Sequence, residues 1–509
     1  MLAKVYSCGL LGIEAYPIEI EVDISGGLPA VTLVGMADTC IRESRERVKS
    51  AIKNSGFNWP QGRITVSLAP SDIRKEGACF DLPIALGILL ASEQLTSAIT
   101  PECCLVGELS LDGTLRPVQG ILPISASLVK SRLKNILLPW QNCREAAIIR
   151  DISVRPLKTL RQAVEFLNSP ETIEPFALDM ENLFKQNSVY DIDFSEVKGQ
   201  YFAKRAIEIA VAGRHNILMI GPPGSGKTML AKRIPTIMPE LTAEEACETT
   251  KIHSVTGLIP SGEGLIAKRP FRSPHHSISA VAMTGGGPLP KPGEFSLAHN
   301  GILFLDELPE FRRDCLEAMR QPLEDGSIRV SRIIKSLVFP ADFILVCAMN
   351  PCPCGALGQL KSQCRCSTAQ VYKYRSKISG PLLDRIDIHI EVPAAKYQEL
   401  SGALAAESSG QIKERVNISR AVQKERFKEE KIFYNSRMGH RQVRKFCALG
   451  KEENELLKMA MFEFNFSARA YDKILKVSRT IADLAGSEQI KTEHLSEAIQ
   501  YRSLDRNFF

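Results

Sequence analysis

Nowhere does the sequence hold an apolar run near the ~18–20 residues that a membrane span requires. Its longest stretch, Leu82 to Ala91, contains Pro83 and is followed by Ser92 and Glu93. A secretory leader is not expected either, because no small-residue cleavage site follows a long apolar stretch near Met1. Strong charge of one sign is missing: 64 Lys and Arg against 58 Asp and Glu leave +6 over 509 residues, too mild to predict an anionic partner. No internal repeat or low-complexity tract is present. What is there is ordinary for globular proteins, 44% hydrophobic and 24% charged residues, which excludes a wholly disordered or fibrous chain. The length exceeds a single core, so two to four domains are expected. Fourteen cysteines without a secretory signal argue for a reducing compartment, with thiols free or on metal. The expectation is a soluble, cytoplasmic protein without a membrane partner.

The first ~165 residues read as mixed strand and helix. Ile18–Ile24 alternates like a half-buried strand, Ala30–Val34 and Ile64–Leu68 follow, and Ile41–Lys53 and Asp81–Ser92 have helical patterns. Leu105–Leu109 and Leu115–Val118 flank Leu111-Asp112-Gly113-Thr114, a hairpin signal. Polar residues gather between 166 and 190, where a linker is expected. A second α/β segment occupies 191–395, and 396–509 is expected to be helical.

The strongest signal is Gly221-Pro222-Pro223-Gly224-Ser225-Gly226-Lys227-Thr228, which fits G-x-x-x-x-G-K-[ST] between an apolar strand (Asn216–Ile220) and a helix starting near Met229. Glycines let the backbone N–H groups turn inward on phosphate oxygens, and the helix N-terminus adds partial positive charge. Lys227 is expected to reach the β- and γ-phosphates of ATP, and the Thr228 hydroxyl to sit on Mg²⁺. Ile302-Leu303-Phe304-Leu305 runs into Asp306-Glu307, a buried strand ending in two carboxylates. Asp306 is expected to hold Mg²⁺ through water and Glu307 to orient the attacking water. A third strand, Phe343–Met349, ends in Asn350, whose amide suits the same water or the γ-phosphate.

Three further segments carry a resemblance. Arg272-Ser273-Pro274-His275-His276, the run Gly293–Gly301 leading into Ile302–Phe311, and Gly380–Asp387 resemble the magnesium-chelatase-like AAA+ ATPases, in the YifB/ComM branch. The resemblance covers essentially the whole chain. It implies a central AAA+ core and a C-terminal helical lid. It also implies that Asn350 is the sensor-1 residue, Arg385 an arginine finger for a neighbouring subunit, and Arg469 the sensor-2 residue. An arginine given in trans requires an oligomeric ring, with a hexamer implied. For Arg385 the alternative is a structural ion pair with Asp384 or Asp387.

Residues 1–165 resemble a Lon-protease-like (ribosomal S5 domain 2-like) domain. Lys75-Glu76-Gly77-Ala78-Cys79-Phe80-Asp81 is similar to the run that bears the Lon serine, and Cys79 falls on that serine. The run that bears the Lon lysine is Pro117–Leu122 here, with Leu122 at the lysine position. An isobutyl group cannot take a proton, so a dyad is not expected. Assembly or substrate positioning is the expected role of this domain.

Cys352, Cys354, Cys364 and Cys366 form C-x-C, nine residues, C-x-C directly after Asn350. They are expected either to close a tetrahedral Zn²⁺ site or to remain free thiols. His275 and His276 lack a local ligand set and read as structural. Between Lys413 and Lys445, eleven basic residues face four acidic ones, with Phe427, Phe433 and Tyr434 interleaved. That region is either a solvated lid face or a phosphate-tracking surface. Ser327–Leu337 resembles the pore hairpin of MCM helicases, which implies that Arg329, Arg332 and Lys335 contact a DNA backbone; the alternative is a hairpin buried between subunits. The resemblance implies an ATP-driven hexameric DNA helicase that promotes branch migration when imported DNA recombines with the chromosome in natural transformation. The alternatives are a chelatase-type motor subunit and a regulatory ATPase acting on a protein.

Overall fold

The computed structural model describes every residue except 1, 97–101, 180–182, 185–189, 261, 288–289, 332–335, 359–362, 395–406, 465 and 505–509. The chain divides into two compact units. The first comprises Met1–Ser188, Thr242–Ala267 and Gly287–Pro292; the second comprises Val189–Leu241, Lys268–Gly286 and Gly293–Phe509.

The first unit is built on a seven-stranded mixed sheet. Its order is Ala30–Val34, Arg63–Ala69, Glu14–Ser25, Leu2–Leu11, Cys103–Leu105, Asn135–Pro139 and Ser153–Leu157. Helix Thr39–Asn54 starts where the Asp38 carboxylate accepts the Ile41 N–H at 2.9 Å, and it buries Ile41, Val48, Ala51 and Ile52 along one face. Helix Asp81–Ala91 is apolar on every side and almost wholly buried, so the longest apolar run of the sequence is an enclosed core helix. The expected strand Leu105–Leu109 is broken at Val106-Gly107. There Gly107 takes part in two backbone bonds, its N–H to Cys79 and its carbonyl to Leu82, while only Glu108–Leu109 pairs with Leu115–Arg116.

Polar composition suggested a linker from 166 to 190, but residues to Ser188 belong to the first unit, and Phe176 and Leu178 pack on its core. The same unit takes in helix Ala243–Thr256, which lies between the two acidic and phosphate motifs in sequence. Glu145 holds it there: its buried carboxylate accepts the Leu122 N–H at 2.8 Å and the Ser254 hydroxyl, and Gly120 N–H donates to the Ser254 carbonyl.

The second unit carries five parallel strands in the order Phe271–Arg272, Ile302–Leu305, Ile344–Met349, Ile217–Ile220, Ile388–Glu391. The central three are buried along their whole length, as a parallel sheet covered on both faces demands. Helices Ser409–Arg426, His440–Phe446, Lys451–Phe464, Ala468–Leu484 and Thr492–Gln500 follow. Buried polar groups join them to the sheet layer. The Gln423 amide donates to the Ala212 carbonyl at 2.9 Å, and Asp483 gathers Arg426, Arg479 and Asn435. Among the described residues, no helix is long and apolar enough to cross a membrane.

Candidate nucleotide site

Because the five strands are parallel, their C-terminal ends share one edge of the sheet, the edge where open α/β sheets bind ligands. Gly221, Asp306, Asn350 and, after Phe271–Arg272, Ser273 to His276 all leave the sheet there. The Gly221–Thr228 loop turns back through Gly224 and Gly226, at φ of +75° and +91°, before helix Lys227–Ile237 begins. The Lys227 side chain curls into the loop and donates to the Gly221 and Pro222 carbonyls at 2.7 and 2.9 Å. Its amine lies 3.4 Å from the Asn350 amide oxygen, and burial pushes its pKa down. The Thr228 hydroxyl donates to Asp306 at 2.7 Å. Four of the residues singled out from sequence thus converge within hydrogen-bonding reach.

Two neighbours of this cluster were not legible as such. The Gln200 side chain donates to the Pro393 carbonyl at 2.7 Å and to the loop's Ser225 carbonyl at 3.4 Å, bracing the phosphate loop from outside. Its φ of +54° breaks the chain ahead of helix Tyr201–Gly213. His276, expected to be merely structural, places Nδ1 3.4 Å from a carboxylate oxygen of Glu307, with the His275 ring tilted against it at 4.1 Å between centroids. Glu307 itself adopts φ +53°, a conformation unusual for a side-chain-bearing residue and common where strain serves a site.

Arg385 and Arg469 do not join this cluster. Both line a cavity of about 290 Å³ with Asn216, Asp387 and Lys473. Asn216 precedes the strand whose other end leads into Gly221, so the two sites are separated by the strand's length, about 16 Å at the usual rise. Arg385 pairs with Glu324, not with Asp384 or Asp387 as its structural alternative had it, and donates to the Pro381 carbonyl at 2.6 Å. Burial opposes ionisation of Asp387, yet the Lys473 ammonium and the His215 ring hold its carboxyl well below the usual range. That buried triad ties the Arg385 segment to helix Ala468–Leu484, at whose start Arg469 stands exposed.

With this geometry in hand, similarity to known proteins is informative. A family profile described as magnesium chelatase, subunit ChlI, matches residues 193–400; a second for subunit ChlI matches 20–142, and one for its C-terminal part matches 406–502. The competence protein ComM of Haemophilus influenzae is 44% identical over 99% of this chain and 98% of its own length. The chain belongs to the magnesium-chelatase-like AAA+ family, in the branch of ComM and YifB. The YifB protein of Salmonella typhimurium is 43% identical over the same shares of the two chains. Lon protease 2 of Bacillus subtilis is 25% identical over 183 residues, 32% of each chain.

Although Cys79 is half-buried and lines a cavity, desolvation pushes its thiol well above its ordinary range, and the Asp81 charge adds to this. Lys75 donates to the Pro70 carbonyl, and Leu122 is fully buried. Asp81 is pushed up to about 6 by its own burial, although Arg47 pairs with it at 2.9 Å.

The remaining sequence candidates fare differently. The sulfurs of Cys352, Cys354, Cys364 and Cys366 lie within 4.8 Å of one another, a ligand set that fits Zn²⁺. The hairpin exists as Ser327–Ser331 paired with Ser336–Pro340, and Arg329 is exposed on it opposite Val338. Arg332 and Lys335 lie outside the described residues. In the basic region five of the eleven basic residues form ion pairs within the chain. Lys413 pairs with Glu240, Arg415 with Glu208 and Glu407, Arg426 with Asp483, Lys428 with Glu425, and Arg437 with Asp342. Arg420 stacks on Tyr434 at 3.8 Å, and Phe427 is core, so only Phe433 of the three aromatics is widely exposed.

Proposed function

We propose that this chain is an ATP-hydrolysing motor that assembles into a ring, a hexamer by family resemblance, and acts on DNA during recombination of imported strands. The observation that carries the ring is the separation just described: Lys227, Thr228, Asp306, Glu307 and Asn350 stand at one edge of the sheet, Arg385 and Arg469 at the other. One chain cannot bring both sets to a single phosphate, and a head-to-tail neighbour can.

Bound ATP would supply the phosphoanhydride to be cleaved, and Mg²⁺ would supply positive charge to offset that of the phosphates. The chain's own residues do the rest. Lys227 is poised to exchange the Gly221 and Pro222 carbonyls for phosphate oxygens, and Gly226 lets the loop amides face them. Thr228 and Asp306, already hydrogen-bonded to each other, would hold Mg²⁺, Asp306 through water. Glu307 orients water and takes its proton, Asn350 fixes the same water, and His276 sets the Glu307 carboxylate. Arg385 and Arg469 stabilise the transferring phosphoryl group of the adjoining subunit.

DNA as substrate is supported by the relative named as a competence protein and by the exposed Arg329 on its hairpin. ATP turnover measured with and without single-stranded and forked DNA tests this. Stimulation by DNA is expected, and its absence with both forms would redirect the reading to a protein partner. In the triple variant Arg329→Ala/Arg332→Ala/Lys335→Ala, basal turnover should persist while DNA stimulation and branch migration fall sharply. Each lost phosphate contact should flatten the log–log salt dependence of single-strand binding by roughly 0.7. Branch migration at the wild-type rate would remove the hairpin from the mechanism.

The Lon-like segment is read as a non-proteolytic module. Its Cys79 thiol is expected to stay unalkylated by iodoacetamide at pH 8 in the folded protein and to react once unfolded, as mass spectrometry of the peptide would show. Rapid alkylation in the folded state would reopen the question of a thiol nucleophile.

A further inference from the structure

The four cysteines are joined to the nucleotide site by more than sequence. Three sulfur–sulfur distances are 3.4, 3.6 and 3.6 Å, for Cys352 to Cys354, Cys352 to Cys364 and Cys354 to Cys364. Zn–S bonds of about 2.3 Å in a tetrahedron put sulfurs about 3.8 Å apart, so the thiols stand almost at ligand spacing around one ion. A two-iron cluster would spread its thiolate pairs wider. Cys352 is wholly buried, two residues after Asn350, and its carbonyl accepts the Gly355 N–H at 3.0 Å. That turn lays Gly355, at φ +76°, directly on the phosphate loop: a Cβ there would come within 2.5 Å of Pro223 Cδ and 2.8 Å of its Cγ. On the far side, Arg375 donates to the Pro351 carbonyl at 3.2 and 3.3 Å. Helix Thr368–Arg375 begins immediately after Cys366 with a Ser367 capping box. The cysteine turn is therefore clasped between that helix and Pro223, with Asn350 3.4 Å from the Lys227 amine at its root.

We infer that a zinc ion held by Cys352, Cys354, Cys364 and Cys366 clamps the phosphate loop through the Gly355–Pro223 contact, so that metal loading and nucleotide affinity are linked. The inference rests on the reading of Gly221–Thr228 as an ATP site. The ion fixes the two C-x-C turns against each other, which holds Gly355 on Pro223 and Asn350 opposite Lys227. Without it the turns have only thiol contacts between them, and the loop must be ordered at the moment of binding, which lowers affinity. Linkage is reciprocal, so nucleotide tightens zinc binding by the factor by which zinc tightens nucleotide binding.

The test uses full-length protein purified without chelator. Elemental analysis is expected to find about one zinc per chain, lost in Cys364→Ser/Cys366→Ser. Affinity for a fluorescent ATP analogue in Mg²⁺ should weaken about tenfold after a zinc-selective chelator and recover on zinc re-addition. Gly355→Ala should keep its zinc yet bind the analogue as weakly as the metal-free chain, because its Cβ wedges at Pro223. Zinc affinity, read at equilibrium by competition with a chromogenic chelator, should rise about tenfold in saturating ATP for the wild-type chain and not for Gly355→Ala. Zinc-free wild-type protein would overturn the metal site, and bound zinc with an affinity indifferent to ATP would overturn the clamp. Zinc-loaded protein that binds no nucleotide would instead sink the ATP-site reading and leave the cysteines as a separate metal centre.

Discussion

Lys227→Ala is expected to lose measurable nucleotide binding, while Glu307→Gln binds nucleotide like the wild type and fails to turn it over. The two residues stand at the same sheet edge but do different things. Lys227 is buried and holds two carbonyls at 2.7 and 2.9 Å, partners that in the proposed role it would exchange for phosphate oxygens. Two charge-assisted hydrogen bonds at about 1.5–3 kcal/mol each make the loss roughly 100-fold or greater in affinity. No hydrogen bond or ion pair joins Glu307 to the phosphate loop among the described residues; its carboxylate faces His276 and stands exposed at the rim. A glutamine keeps shape and hydrogen bonding yet cannot take the proton of the attacking water, which costs about 10²–10⁴-fold in kcat. Equilibrium binding of a fluorescent analogue, beside steady-state phosphate release, separates the two. Equal affinity in both variants would contradict the role given to Lys227. Full turnover in Glu307→Gln would move proton abstraction to another group, and His276 would be the first to examine.

Why these residues were legible in sequence, and others were not, follows from how each is held. The phosphate loop and the two strand ends are local: a buried strand, a turn and the polar residue that follows it are all contiguous, so spacing alone predicts their placement. Gln200 and His276 are brought in by partners 193 and 31 residues away, at Pro393 and Glu307; the motif Arg272–His276 marks His276 as part of a family segment but not as a neighbour of Glu307. The charge of the basic region is likewise partly balanced from a distance. Counting charge between Lys413 and Lys445 ignores Glu208, Glu240, Asp342 and Asp483, which neutralise part of it from other elements. Helix Ala243–Thr256 is the largest surprise. Its sequence neighbours are the phosphate helix and the Asp306 strand, yet its buried Ser254 is bound to Glu145 of the first unit. A buried carboxylate more than 100 residues distant leaves no trace in local periodicity.

Arg385→Ala is expected to lower turnover about 10³- to 10⁵-fold, as removal of an arginine finger does, while leaving nucleotide affinity nearly intact. Mixing subunits tells whether the arginine serves its own chain or the next. In a random ring of Arg385→Ala and Lys227→Ala chains, about one quarter of the sites pair an intact loop with an intact finger, so turnover should recover toward that fraction. No recovery, with mixed assembly confirmed, would place Arg385 in cis with a structural role toward Glu324. A second mixture reads Arg469. Both arginines line one cavity at the sheet edge away from Lys227, so both should be delivered by the same neighbour. Arg385→Ala mixed with Arg469→Ala should then remain inactive, because every neighbour lacks one of the pair. Were Arg469 to act on its own chain's nucleotide, that mixture would regain activity wherever an Arg385→Ala subunit receives the finger of an Arg469→Ala subunit. The buried Asp387–Lys473–His215 triad makes the shared delivery physical: it joins the segment that carries Arg385 to the helix that carries Arg469, so the two guanidinium groups are presented by one rigid corner of the fold.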